Sequence, residues 1–153
     1  MKDWLKLAIS VLLPLLAGFV GGLFTSSSVS TWYLTLNKPF FNPPDWVFGP
    51  VWTLLYILMG LSFYLVWVNK KKNNLALSIF GIQLFLNLLW SVLFFGLRNP
   101  LFAFIEIIFL WAAILCAIIL FYRIDKNASY LLIPYILWVS FAAVLNLYLV
   151  VLN

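Results

Sequence analysis

The side chains that ordinarily carry enzymatic chemistry are scarce in this chain. Histidine is absent, Cys116 is the single cysteine, and there are four carboxylates. Asp3, Asp45, Glu106 and Asp125 are scattered and form neither an acid/base pair nor a ligand cluster. Cys116 lies in the apolar run Ile114-Leu115-Cys116-Ala117-Ile118 and reads as a packing residue, so neither a disulfide framework nor an ordinary His/Cys metal site can be assembled. No metal and no cofactor is expected. Aromatic residues, in contrast, make up 20% of the chain and include eight tryptophans. Several share a helical face with a polar side chain: Trp52, Tyr56, Gly60 and Phe63; Gln83, Asn87, Trp90 and Phe94; Pro134, Trp138, Ala142 and Asn146. An amide in hydrocarbon needs a partner, so the Gln83/Asn87 and Asn146 faces should turn inward and carry their tryptophans with them. Either these amides only fasten helices together, or they furnish an aromatic cavity. Stacking faces with a few orienting amides would suit a flat, largely apolar molecule such as a porphyrin or a sterol.

The elements that must position these faces are membrane helices. Of the 153 residues 66% are hydrophobic and 8% charged, against about 25% charged in soluble domains. A hydrocarbon core about 30 Å thick takes roughly 20 apolar residues per helix. The chain therefore has room for one all-α domain, a single bundle of five transmembrane helices covering residues 1–153. The expected spans are about 5–24, 50–68, 75–97, 100–122 and 129–151. The second is expected to start near Gly49-Pro50, because proline fits the first turn of a helix and disrupts its interior. Arg98-Asn99-Pro100 is a very short turn, which makes the third and fourth helices antiparallel neighbours. Pro134 should bend the fifth.

Basic residues sit at the ends of the apolar runs, so the net charge of +5 speaks for membrane orientation rather than nucleic acid. Lys2, Lys6, Lys70, Lys71, Lys72, Arg123 and Lys126 share one side, and only Lys38 and Arg98 lie on the other. That asymmetry predicts a cytoplasmic N-terminus. The first apolar run is too long for a signal peptide and reads as a membrane helix, with no targeting extension before it, so the chain is expected to be a multi-pass membrane protein.

Residues 25 to 48 form the one long connection, rich in proline and in Trp32, Tyr33, Phe40, Phe41 and Trp46. Rings that are costly to leave in water, on a backbone stiffened by proline, should fold over the helix ends as a lid. Trp32 and Trp46 taken singly read equally well as an aromatic belt at headgroup level. Glu106, about 9 Å into the fourth helix at 1.5 Å per residue, requires a partner. Arg98, a Trp N–H or Asn146 could supply it, and a proton-relay or ligand role is the alternative. Gly18 and Gly22 form a GxxxG pattern, which serves a dimer or packing within the bundle.

Three stretches carry a resemblance to a known family: WYLTLNKPFFNPPDWVFGPVWTLLYILMG (Trp32 to Gly60), NLLWSVLFFGLRNPLFAFIEIIFLW (Asn87 to Trp111) and PYILWVSFAAVLNLYLVVLN (Pro134 to Asn153). The chain resembles the tryptophan-rich sensory proteins of bacteria, related to the mitochondrial translocator protein, or peripheral benzodiazepine receptor. The resemblance implies a five-helix bundle, usually a homodimer, that binds porphyrins such as protoporphyrin IX, and benzodiazepine-site ligands, under the first connection. It implies a pocket drawing on Tyr33, Pro43, Pro44, Trp52, Tyr56, Asn87, Trp90 and Trp138. It also implies that Trp32 and Trp138 act in light-dependent porphyrin breakdown. The animal relatives carry a basic residue after the tyrosine of a sterol motif in the last helix, whereas here only Leu149 to Asn153 follow Tyr148. The missing histidine removes the usual axial ligand of haem iron and favours a metal-free porphyrin, although Tyr and Met could still ligate.

Three functions remain open at this point. The first is a receptor or sensor that binds tetrapyrroles. The second is a light-dependent porphyrin-degrading activity whose chemistry belongs to the photosensitiser. The third is a porphyrin transporter, against which stand the lack of an evident inverted repeat and the scarcity of intramembrane charge.

Overall fold

The computed structural model describes all residues, Met1–Asn153. It is all-helical. The helices are α1 (Asp3–Val29), α2 (Asp45–Val68), α3 (Asn74–Ser91), α4 (Pro100–Ile124), the short α5 (Lys126–Leu131) and α6 (Ile133–Leu152). A π turn, Val92–Gly96, extends α3, and a 3-10 turn, Trp32–Thr35, lies in the first connection. Counting α3 with its π turn and α5 with α6, five segments are long and apolar enough to cross a membrane, which makes this a multi-pass membrane protein.

The packing is that of a protein dissolved in lipid. Helix α1 buries Ser10, Pro14, Gly21 and Ser28, and turns Leu12, Leu16, Phe19 and Leu23 outward. Lipid is as apolar as leucine, so large side chains gain nothing by facing the bundle, whereas small ones let backbones approach. Gly60 of α2 shows the effect most directly. A Cβ there would lie 2.5 Å from the Val11 Cα and 2.6 Å from the Ser10 carbonyl oxygen of α1. Gly18 does the same one level up, where the Tyr56 ring lies against its backbone. The core proper runs between α2, α3, α4 and α6 and includes Met59, Phe80, Ile114, Phe121 and Tyr135.

Several helix ends differ from the expected spans, each for a local reason. Helix α1 continues to Val29, shortening the connection to residues 30–44. Helix α2 starts at Asp45, five residues before Pro50, which lies inside it. Pro44 (φ −56°, ψ 143°) holds the chain extended just before the helix, so the start is set by Pro43-Pro44 and not by Pro50. The fifth span is broken, not merely bent. Leu132 (φ −90°, ψ −9°) ends α5 two residues before Pro134, and its N–H turns back to the Ser129 carbonyl. The Ala128 carbonyl is thereby left without its helical donor, and the Ser62 hydroxyl of α2 donates to it at 2.6 Å.

Between α3 and α4 the chain reverses through Arg98, whose φ of 53° is the one positive value among the non-glycine residues. Asn99 then caps α4, its side-chain oxygen accepting from the Phe102 N–H at 3.0 Å, and Pro100 occupies the first turn. The short turn does make α3 and α4 antiparallel neighbours.

The first connection lies across one end of the bundle. Asn37 and Asn153 form a reciprocal latch: the Asn37 N–H donates to the Asn153 side-chain oxygen (2.8 Å) and the Asn153 amide donates to the Asn37 carbonyl (3.0 Å). The Asn37 amide also donates to the Leu152 carbonyl at 3.3 Å. Phe41 packs edge-on against Tyr148 of α6, and Trp32 edge-on against Phe94 of the π turn.

Candidate functional site

Beneath this connection lies a cavity of about 450 Å³, within the range of small-molecule sites, lined by α1, α2, α3 with its π turn, α4 and α6. Its walls are the rings of Tyr33, Phe48, Trp52, Tyr56, Trp90 and Trp138, joined by Asn87, Ala142 and Asn146. Trp52 stacks on Tyr56 (5.5 Å between centroids) and Trp90 on Phe94 (4.9 Å), which leaves flat faces along two sides. The wide π turn places Phe94 and Phe95 in the wall, and the Ser28 hydroxyl of α1 donates to the Phe95 carbonyl at 2.7 Å.

The floor is a directional chain of hydrogen bonds. The Tyr56 hydroxyl donates to the Asn87 carbonyl oxygen (2.7 Å), and the Asn87 amide donates to the Tyr135 hydroxyl (2.9 Å). The Tyr135 hydroxyl in turn donates to the Gln83 carbonyl oxygen at 2.9 Å, and Gln83 reaches the Met59 sulfur at 3.9 Å. Below the floor, the stacked rings of Phe63, Phe80 and Phe121 fill the bundle. A second tie crosses the cavity wall. The Trp90 indole N–H donates to the Asn146 side-chain oxygen (3.1 Å), and the Asn146 amide donates to the Pro100 carbonyl (2.8 Å). The amides therefore fasten helices and line the cavity at once.

The candidate site residues are not all brought together. Tyr33, Trp52, Tyr56, Asn87, Trp90, Trp138, Ala142 and Asn146 line the cavity. Gln83 lies beneath it, buried among floor partners. Pro43 and Pro44 stand outside the lining and set the start of α2, with the Pro43 carbonyl accepting from Asn42. Trp32 also stands outside and approaches the cavity only through Phe94. Sequence reasoning missed the contribution of α1, where Gly18, Gly21, Gly22, Thr25, Ser26 and Val29 form a whole wall. The signal available was the cluster of glycines and hydroxyls at the end of that helix. Ile107 and Leu110 of α4 were missed as well, since nothing distinguishes them from lipid-facing neighbours.

Two polar groups at this level stand free. The Trp138 indole N–H is buried without a partner, and so are both carboxyl oxygens of Glu106. Asn146 is committed to Trp90 and Pro100, and the one ion pair in the chain is Lys6 with Asp3 at 3.6 Å. None of the expected partners reaches Glu106. In the connection, burial pushes the Tyr33 phenol up to about 12; its hydrogen bond to Asn42 (2.9 Å) pulls the other way and the Asp45 carboxylate adds to the rise. Lys38 sits 4.5 Å over the outer face of the same ring. No group of three or more His, Cys, Asp or Glu side chains is placed to hold a metal ion.

A five-helix membrane bundle around an aromatic chamber is the class that fold and cavity define. Comparison with known proteins narrows it: residues 10–152 match the TspO/MBR family, and the chain belongs to it. It is 49% identical to the tryptophan-rich protein TspO of Archaeoglobus fulgidus over 150 residues, 97% of both chains. It is 46% identical to the tryptophan-rich protein TspO of Chlorobaculum tepidum, over 99% of this chain and 98% of the other. The human translocator protein is 35% identical over 94% of this chain and 87% of its own.

Proposed function

We propose that this protein is a membrane receptor that binds a tetrapyrrole, protoporphyrin IX being the type ligand, and related flat ligands of the benzodiazepine-site kind. The observation that carries the reading is the cavity of about 450 Å³ walled by stacked aromatic pairs and crossed by few polar groups. A flat ring gains dispersion contact on each face there. Trp138 contributes ring surface to the wall, while its N–H is buried away from the cavity. Tyr33, Trp52, Tyr56, Asn87, Trp90, Trp138, Ala142 and Asn146 are the contact residues, while Gln83, Pro43 and Pro44 act by holding the floor and the start of α2. The basic residues support an N-terminus in the cytoplasm, and family membership supports a homodimer in the cell membrane.

A second reading, light-dependent breakdown of the bound ring, is favoured by Trp138, whose half-buried indole borders the cavity with its N–H unpaired. Trp32 would act across Phe94. Transport gains less support, because the floor network and the phenylalanine stack lie between the cavity and the opposite face. Titration of the purified protein with protoporphyrin, haem and a sterol, read by tryptophan quenching, tests the receptor reading, and illumination of the loaded protein tests the second. Accumulation of porphyrin inside sealed vesicles only when the protein is present would instead establish transport.

A further inference from the structure

The cavity is covered at one end by the first connection and reaches the surface along the flank formed by α1 and α2. On the water side the connection is latched by the Asn37–Asn153 pair, with Tyr33 and Pro39 buried beneath it. On the flank, α1 and α2 pack against each other. They are pinned together where Gly60 meets the Ser10–Val11 backbone and where Gly18 meets the Tyr56 ring. Above that level the seam between them is open to the surface. A Cβ added at Gly22 of α1 or at Gly49 of α2 meets nothing within 4 Å, and both glycines are exposed at the surface while lining the cavity. Ser26 and Thr53, which flank them, are likewise both exposed and in the lining.

The chemistry of this gap suits an apolar passenger. The hydroxyls beside it are satisfied by their own helices: Thr25 donates to the Gly21 carbonyl (3.1 Å), Ser26 to Leu23 (3.2 Å) and Thr53 to Gly49 (2.9 Å). Passing an apolar ring therefore strands no donor, and the desolvation cost that usually accompanies a polar rim is absent. Asp45 is the only charged side chain in the cavity lining and stands at the connection end, so the gap below it is uncharged. The large side chains that flank the gap on α1, Phe19 and Leu23, face outward as lipid-facing residues do.

From this arrangement we infer that the slot between α1 and α2 at Gly22 and Gly49 is the passage through which a flat apolar ligand moves between the bilayer and the cavity, with the connection remaining latched. The inference rests on the receptor reading above and adds the route and the phase, lipid, from which the ligand comes. Glycine at these two positions keeps the slot wide, where any side chain would project into it.

The test is stopped-flow tryptophan quenching on the full chain in lipid vesicles, with protoporphyrin IX, an apolar ring whose two propionates stay at headgroup level, supplied from donor vesicles of the same lipid. Gly22→Phe and Gly49→Phe, on different helices and with open space at each, should slow association by about tenfold, as for an obstructed passage. Asn153→Ala, which breaks the latch, should exchange ligand at the wild-type rate. The inference is overturned if both glycine variants exchange at wild-type rates, if they weaken affinity without slowing association, or if Asn153→Ala accelerates loading while they do not. Absence of saturable quenching in the wild type would overturn the receptor reading as well, and so is distinguished from failure of the route alone. Far-UV circular dichroism and a thermal melt of each variant establish that its bundle is intact.

Discussion

Tyr135→Phe is the sharpest probe of the cavity floor, because it deletes one oxygen from a ring that is 1% exposed and changes little else. That oxygen accepts from the Asn87 amide at 2.9 Å and donates to Gln83 at 2.9 Å. The variant therefore removes two buried hydrogen bonds and leaves an amide donor and a carbonyl acceptor without partners. Interhelical hydrogen bonds in membranes average about 0.6 kcal/mol and reach about 1.7. Two of them give about 1 to 3 kcal/mol, the upper part applying because the stranded groups have no water to turn to. The assay is reversible unfolding in mixed micelles with increasing dodecyl sulfate, followed by far-UV circular dichroism. Gln83→Leu should cost a similar amount, and the double variant should cost clearly less than the sum, with a coupling of about 1 kcal/mol. Loss of less than about 0.3 kcal/mol in Tyr135→Phe, with additive behaviour in the double variant, would refute the continuous floor network.

The glycines of α1 and α2 should separate by neighbour. Gly60→Val should prevent normal assembly, measured as loss of monodisperse protein on gel filtration, since its Cβ would meet the α1 backbone at 2.5 Å. Gly22→Ala should be neutral or stabilising by up to about 1 kcal/mol in the same unfolding assay, from helix propensity alone. Trp138→Phe should bind protoporphyrin nearly as the wild type does and lose light-dependent bleaching of the bound ring; unchanged bleaching would sink the breakdown reading. For Tyr33, a phenol raised above its usual value is neutral at pH 10 and ionises near pH 12, so the form that favours folding is lost as pH rises through that window. The phenolate absorbance difference between wild type and Tyr33→Phe should appear only near pH 12, and a difference already complete at pH 10 would contradict the burial of this ring.

The class of fold was legible because composition leaves no alternative: five apolar runs, parted by lysines, Arg98-Asn99-Pro100 and the Arg123–Lys126 turn, have nowhere to go but a bilayer. Aromatic faces were legible too, since Trp52/Tyr56 and Asn87/Trp90 sit at helical spacing. Helix ends were read less well. Pro50 looked like a helix start, but local proline rules do not reveal that Pro43-Pro44 already provide one. Pro134 by itself predicts a bend, whereas the break it accompanies is matched by Ser62 of another helix, which satisfies the Ala128 carbonyl. The α1 wall was invisible for a related reason: Gly18 and Gly21 acquire meaning only from Tyr56 of α2 and Ser91 of α3, which lie against them. Gln83 shows the opposite error, an inward amide taken for a lining residue when Tyr135, from α6, stands between it and the cavity chain.

Ala142 lies in the cavity wall among Trp90, Trp138 and Asn146, and Ala142→Trp would fill the chamber from within. Equilibrium tryptophan quenching by protoporphyrin IX, compared between wild type and Ala142→Trp in the same vesicles, tests the central claim most directly. The account predicts saturable quenching at one ligand per chain in the wild type and its loss in the filled variant, with melting behaviour unchanged. Equal saturable quenching in both proteins would place the ligand elsewhere and contradict it.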